Sequence, residues 1–194
     1  MKSIFLVGEG ANELGGRARS EPYIGDEPGA LEALLRRIQP EGWKVGGAIV
    51  WRSIRKLQTN RSKEAETRNV LGAALMASER GCHAIAFVRD RDGDVGRSHA
   101  IEVGIAEAAQ LFQNVAIAGG LAVETLEAWL LALAGQVGSE SHRHPEKQTE
   151  LLGLPPKDSR AIVRHIESAA LDRIPADALS LRRWIECARQ ALVG

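Results

Sequence analysis

Apolar and polar positions along the first two-thirds of the chain switch repeatedly between two patterns. Ile4–Val7 is a compact apolar run ended by Gly8, and Ala48–Trp51, Ala84–Val88 and Val115–Ala118 repeat the form. Short continuous apolar runs of this kind predict strands buried on both faces. Between them the spacing changes. Leu31, Leu34, Leu35 and Ile38 fall on one face of a helix that Pro40 stops. Val70, Leu71, Ala74 and Leu75 stripe a second helix, from about Ser62 to Arg80, that Gly81 closes. Ile101, Ile105, Ala108 and Phe112 line a third, with Ser98 the expected N-cap. Strands alternating with helices predict an α/β fold, with a parallel sheet of about four strands flanked by helices.

From Val123 the pattern becomes helical throughout. In "VETLEAWLLALAG", Val123, Leu126, Leu130 and Leu133 share a stripe. A polar stretch broken by prolines comes next, "QVGSESHRHPEKQTELLGLPPKDSR", and then two more helical patterns. Ile162, Val163 and Ile166 mark the first, and Leu181, Trp184, Ile185 and Ala188 the second. Residues 1–138 are therefore expected to form the α/β core, and residues 139–194 a helical C-terminal extension packed on it.

In a parallel sheet the ligand crevice lies beyond the carboxyl ends of the strands. Acidic residues fall at that end. Glu9 comes directly after the first strand, and "FVRDRDGDVGRS" carries Asp90, Asp92 and Asp94 at the exit of the third. Carboxylates so close repel one another unless a divalent cation, a ring of arginines or solvent intervenes. An EF-hand calcium loop is excluded, because Gly93 precedes the third Asp and Ile101 stands where the loop needs Glu. A D-x-D phosphatase nucleophile at Asp90 or Asp92 and a solvated acidic turn both stay open. If the chain turns into helix after Gly10, Glu13 points back toward the same crevice. Carboxylates alone make a hard-oxygen site suited to Mg²⁺ or Mn²⁺. Two such ions would activate water and stabilise a leaving oxygen in phosphodiester hydrolysis.

Charge and composition narrow the partners. Lys and Arg together number 25, and so do Asp and Glu, so phosphate binding must come from a local patch. The segment from Trp51 to Arg68 offers one, with Arg52, Arg55, Lys56, Arg61 and Lys63 on the expected crevice rim. These side chains would grip a nucleic-acid backbone, DNA or RNA, or simply solvate a helix start. Only 4% of residues are aromatic, which argues against a base-stacking surface. Cys82 and Cys187 belong to no zinc spacing, and His142 and His144 are expected as exposed histidines of a polar loop. The five-residue apolar run near the start is too short for a signal peptide, and no stretch approaches the ~18 apolar residues of a membrane span. A soluble, cytoplasmic protein without membrane contact is expected.

The acidic residues resemble a family. Toprim (topoisomerase–primase) domains carry a Glu after the first strand and a D-x-D after the third. "VGEGANE" is similar to the V-E-G-x-T-E signature of the Toprim domains in overcoming-lysogenisation-defect nucleases, and "FVRDRDGD" to their D-x-D-G-D motif. "ETLEAWLLA" and "HPEKQTELLGLPPK" resemble the E-x-W-L helix and the subsequent Pro-Glu…Pro-Lys segment of a small Toprim-like family encoded beside ATPases in bacterial defence or mobile loci. Asn12 stands where Thr is usual, and Gly8 where an apolar residue is more common.

The resemblance covers nearly the whole chain and implies a Mg²⁺- or Mn²⁺-dependent nuclease. Glu9, Asp90 and Asp92 would hold the metal, with Glu13, Asp94, Glu124 and Glu127 assisting. Glu124 and Glu127 are expected on one helix face, where a merely solvated role is the alternative. A non-catalytic module that docks a partner ATPase is the competing reading.

Overall fold

A computed structural model describes residues 1–18, 27–57, 63–142, 144–155 and 158–193. Four strands form one parallel sheet: β1 (Lys2–Gly8), β2 (Trp43–Val50), β3 (Ala84–Asp90) and β4 (Ala116–Ala122). Helices separate them: α1 (Ala11–Leu14) and α2 (Ala30–Ile38) precede β2, α3 (Ala65–Glu79) precedes β3, and α4 (Val95–Leu111) precedes β4. The α/β class and the parallel sheet expected from the apolar pattern are present. Four further helices come after β4 among the described residues: α5 (Leu126–Leu133), α6 (Pro145–Leu151), α7 (Ser159–Ser168) and α8 (Leu179–Val193).

The spatial order of the strands is β2-β1-β3-β4. The chain therefore steps from β1 to one side, then crosses back over β1 to place β3 on the other. Right-handed crossovers put α2 on one face of the sheet and α3 and α4 on the opposite face. Strand alternation matches this division. Ile4, Leu6, Ala84, Ala86 and Val88 pack toward α2, while Phe5, Val7, Ile85 and Phe87 pack toward α3 and α4.

Helix α2 shares the first face with other helices. The C-terminal helices complete it, and Leu126, Trp129, Ile162, Ile166, Leu181 and Trp184 join the same apolar cluster as α2. Helix α8 packs on β4 and α7 on α2. The fully buried Trp184 donates from its indole Nε1 to the carbonyl of Phe87 in β3 at 2.8 Å and tilts against Trp129 with ring centroids 5.7 Å apart. An indole N–H spent on a strand carbonyl satisfies two polar groups that burial would otherwise penalise.

Several boundaries differ from the apolar pattern, among them those of α5, which starts at Leu126 and leaves Val123 outside it, and of α3, which starts at Ala65. Strand β2 starts at Trp43, well before Ala48, because Lys44, Gly46 and Gly47 break the run. A bulge sits there, with Ile4 paired to Val45 and Phe5 to Gly47. Strand β4 extends to Ala122 through Gly119 and Gly120, which contribute no apolar side chain. Helix α4 begins at Val95, a turn earlier than a Ser98 cap would allow, and Asp94 is its N-cap. No helix among the described residues is long and apolar enough to cross a membrane.

Candidate metal and phosphate site

The reversal of strand order falls between β1 and β3, and both strands end in acid. Glu9 comes directly after β1, and Asp90 is the last residue of β3. Glu9 Oε1 accepts a hydrogen bond from the backbone N–H of Asp90 at 3.0 Å, tying the two strand exits together.

Glu13 reaches the same place from α1. Its carboxylate accepts from the N–H of Gly10 at 2.7 Å, the N3 half of a capping box, and the side chain is buried. Gly8 makes this possible. A Cβ on Gly8 would lie 2.5 Å from Glu13 Cβ, so the strand must end without a side chain for α1 to fold over it. The glycine that departs from the usual Toprim pattern is here a condition for placing the carboxylate.

Asp90 is strongly perturbed. Its Oδ1 accepts from the N–H of Leu126 at 2.9 Å, so a strand residue caps α5 in place of Thr125, whose buried hydroxyl has no partner among the described residues. Burial, and then the charges of Glu9, Glu13, Glu127 and Asp92, push its pKa up to about 8. Burial first, with Glu9 and Glu127 adding, also raises Glu13, against the lowering effect of its backbone hydrogen bonds. Among the described residues Asp90, Glu13 and Glu127 have no ion-pair partner.

Glu9, Glu124 and Asp92 are neutralised by arginines. Arg89 pairs with Glu9, Arg91 with Glu124, and Arg97 with Asp92 at 2.8 Å. Glu66 of α3 stands behind two of these arginines, with Oε1 at 3.2 Å from the Nε of both Arg89 and Arg97. Its other oxygen accepts from the indole of Trp51 at 2.7 Å. Burial works to lower the Arg89 guanidinium, but the bonds and charges of Glu9 and Glu66 outweigh it and hold it above its ordinary value.

Several expected roles change. Asp94 spends one oxygen on the N–H groups of Gly96 and Arg97, at 3.0 and 3.2 Å, as a helix cap. Glu124 is not on a helix face with Glu127. It precedes α5 with a left-handed backbone, φ +67°, and its carbonyl accepts from the N–H groups of Arg91 and Asp92. Asp92 is also left-handed, at φ +50°. Two non-glycine residues in that region mark a strained pair of loops, held by their mutual hydrogen bonds.

Of the basic segment, Arg52, Arg55, Lys56 and Lys63 are exposed beyond the end of β2 and form no ion pair among the described residues. Arg61 lies outside the described residues, as do Pro156 and Lys157 of the C-terminal motif. His144 is exposed beside Glu146, whereas His142 is half-buried.

Apolar spacing and acidic motifs do not single out the three arginines or Glu66 as site residues. A signal for the arginines exists in "RDRDGDVGR", where they alternate with the acids. Glu66 sits in a polar helix start and carries none.

The donor set is oxygen-only, which fits a hard divalent cation, and the carboxyls of Asp90 and Glu13 are raised by burial first and by their acidic neighbours second. Among the described residues, however, no three acidic, His or Cys side chains are gathered so as to hold an ion in this arrangement. Glu9 and Asp92 are turned onto arginines instead. Comparison of the chain with protein-family models, with curated proteins and with solved structures returns no match, so the likeness to Toprim domains rests on the sequence motifs alone.

Proposed function

We propose that the protein is a Mg²⁺- or Mn²⁺-dependent phosphodiester hydrolase of Toprim type, acting on DNA or RNA. The observation that carries this reading is Asp90, a buried carboxyl at the strand-order reversal, crowded by Glu9, Glu13 and Glu127. Such crowding costs stability, and a divalent cation is the partner whose charge and ligand preference relieve it. Glu9, Asp90 and Asp92 would hold the ion, with Glu13 and Glu127 beside it. A bound ion would polarise a phosphate oxygen and lower the pKa of an attacking water. The exposed Arg52, Arg55, Lys56 and Lys63 would draw the backbone to the rim. A defence or mobile-element setting and a cytoplasmic location accompany the reading through the resemblance alone.

A second reading has one observation in its favour. Glu9, Asp92 and Glu124 already have arginine partners, as they would in a structural site of a non-catalytic module that docks an ATPase. Aspartyl-phosphate chemistry at Asp90 has less support, since its Oδ1 is already engaged by the N–H of Leu126 at the start of α5.

Calorimetric titration of Mn²⁺ and Mg²⁺ into the wild type and a Glu9→Gln/Asp92→Asn double variant tests the proposal. Saturable binding to the wild type alone supports it, and cleavage of single- and double-stranded oligonucleotides is then assayed. Equal heats, or none with or without an oligonucleotide present, would sink the hydrolase reading and leave the partner module.

A further inference from the structure

We propose that the open edge of β4, between α4 and α8, is a docking slot for an extended, basic segment of a partner protein, which joins the sheet as a further strand. Such a slot needs no metal and stands beside either reading of the acidic crevice.

The two edges of the sheet are built differently. Strand β2 carries the exposed Lys44 and a bulge at Gly46, both of which discourage another strand from pairing. Strand β4 reads AIAGGLA and pairs with β3 in unbroken register, so no charge, proline or bulge blunts it. On the β3 side, Ala116 donates its N–H to the carbonyl of His83, and the carbonyl of Ala122 accepts from Arg91. Successive residues of a strand direct their backbone groups to opposite sides. Ile117, Gly119 and Leu121 therefore turn theirs outward, where no further strand pairs with them among the described residues.

Beyond this edge the two helices leave a cleft of about 510 Å³. An added strand would lie about 4.8 Å from β4, inside that cleft. Ile101 and Ile105 of α4 make one apolar wall, and Trp184 and Cys187 of α8 the other. A strand seated there is covered on both faces, as the inner strands are. Main-chain hydrogen bonds would supply affinity, and the walls and their charges the choice of partner.

Charge selects the occupant. Glu102, Glu140 and Asp177 line the cleft with a single base, Arg183. Arg183 pairs with Glu102 at 2.9 Å, an exposed bridge that straps α8 to α4 and parts at little cost. Glu140 accepts from the N–H groups of Ser180 and Leu181, and Asp177 from the N–H of Gly138. Neither has an ion-pair partner among the described residues, so both charges stand uncompensated. They lie near the carboxyl end of β4, where the N–H of Val123 donates to Ser180. A cationic side chain at one end of the incoming segment neutralises them. A second copy of β4 carries no cation and does not.

The test uses the full chain and three fluorescein-labelled peptides of alternating valine and threonine. One ends in two arginines and one in two glutamates. The third is the arginine peptide N-methylated throughout, which keeps the side chains but has no N–H to donate. Binding is read by anisotropy, and amide hydrogen exchange is followed by NMR. The arginine peptide is expected to bind and to slow exchange at Ile117, Gly119 and Leu121 by about tenfold or more. The glutamate peptide should bind about tenfold more weakly, and the methylated one not at all. Asp177→Asn keeps an acceptor for Gly138 and should weaken the arginine peptide several-fold. No binding of the arginine peptide, binding that leaves those three amides unprotected, or equal binding of the methylated peptide would each overturn the slot. Equal affinity for the arginine and glutamate peptides would overturn the basic occupant. A dimer in sedimentation that protects the same amides without peptide would give the edge to a second copy and remove the partner. Should Asp177→Asn not fold, the comparison of the three peptides decides by itself.

Discussion

The carboxylate of Glu9 and the backbone N–H of Asp90 meet at 3.0 Å across the point where the strand order reverses. The contact fixes one acidic side chain over the exit of the neighbouring strand, while the side chain of Asp90 turns to the start of α5. Glu9 also pairs with the Arg89 guanidinium beside it. Stability, metal affinity and pH response should all depend on this small region and on the elements that build it.

Asp90 makes stability fall as pH rises. Its native pKa lies at about 8 against an ordinary 3.8, so between those values the native state holds more protons than the unfolded chain. The slope of stability with pH is negative over that window. Asp90→Asn keeps an acceptor for the Leu126 N–H and removes the charge. In metal-free buffer the variant should be more stable than the wild type by roughly 2–4 kcal/mol at pH 8, with the difference vanishing toward pH 4. Urea unfolding across that range checks it.

Added Mn²⁺ should reverse the order. A cation that binds only the native wild type raises its melting temperature by mass action, and the variant, one ligand short, should gain little. Thermal unfolding at pH 7.5 with increasing Mn²⁺ reads this directly. A wild-type melting temperature indifferent to Mn²⁺ would count against the metal.

Gly8→Ala tests whether the strand must end bare. The new methyl would sit 2.5 Å from Glu13 Cβ and 3.1 Å from Leu14 Cγ. Displacing α1 should cost about 1–3 kcal/mol, and it should weaken Mn²⁺ binding along with stability. A variant of full stability would show that α1 shifts freely.

Asp94 separates a cap from a ligand. Asp94→Ala should lose about 1 kcal/mol, because the N–H groups of Gly96 and Arg97 lose their acceptor. Asp94→Ser should restore most of that. Both should bind Mn²⁺ within a few-fold of the wild type. A loss of Mn²⁺ affinity in the serine variant, with stability intact, would return Asp94 to the metal.

Much of this fold can be read from residue spacing. The apolar runs at Ile4–Val7 and Ala84–Val88 locate β1 and β3 to within a few residues, because strands buried on both faces admit almost no polar position. The same logic fails where glycine replaces bulk, at Gly46 and Gly47 in β2 and at Gly119 and Gly120 in β4. There the backbone continues the strand without an apolar side chain to announce it. The cap of α4 escapes the spacing for a local reason, since both Asp94 and Ser98 are good caps and only backbone geometry chooses between them.

The sequence by itself determined the α/β class, the helical character after Val123 and the strand exits that carry acid, because period and continuity of apolar residues encode burial. It also kept Glu9, Glu13 and Asp90 together, since residues just after parallel strands share one end of the sheet. Only the tertiary structure decided which carboxylates are neutralised. Arg89 reaches from β3 to Glu9 at the end of β1, and Glu66 arrives from α3 to hold Arg89 and Arg97 at once. Glu124 leaves the helix face expected for it, through a left-handed backbone, to meet Arg91. Charge pairing depends on through-space distances between elements, and those are set by strand order and crossover, which a one-dimensional pattern of apolar positions does not specify.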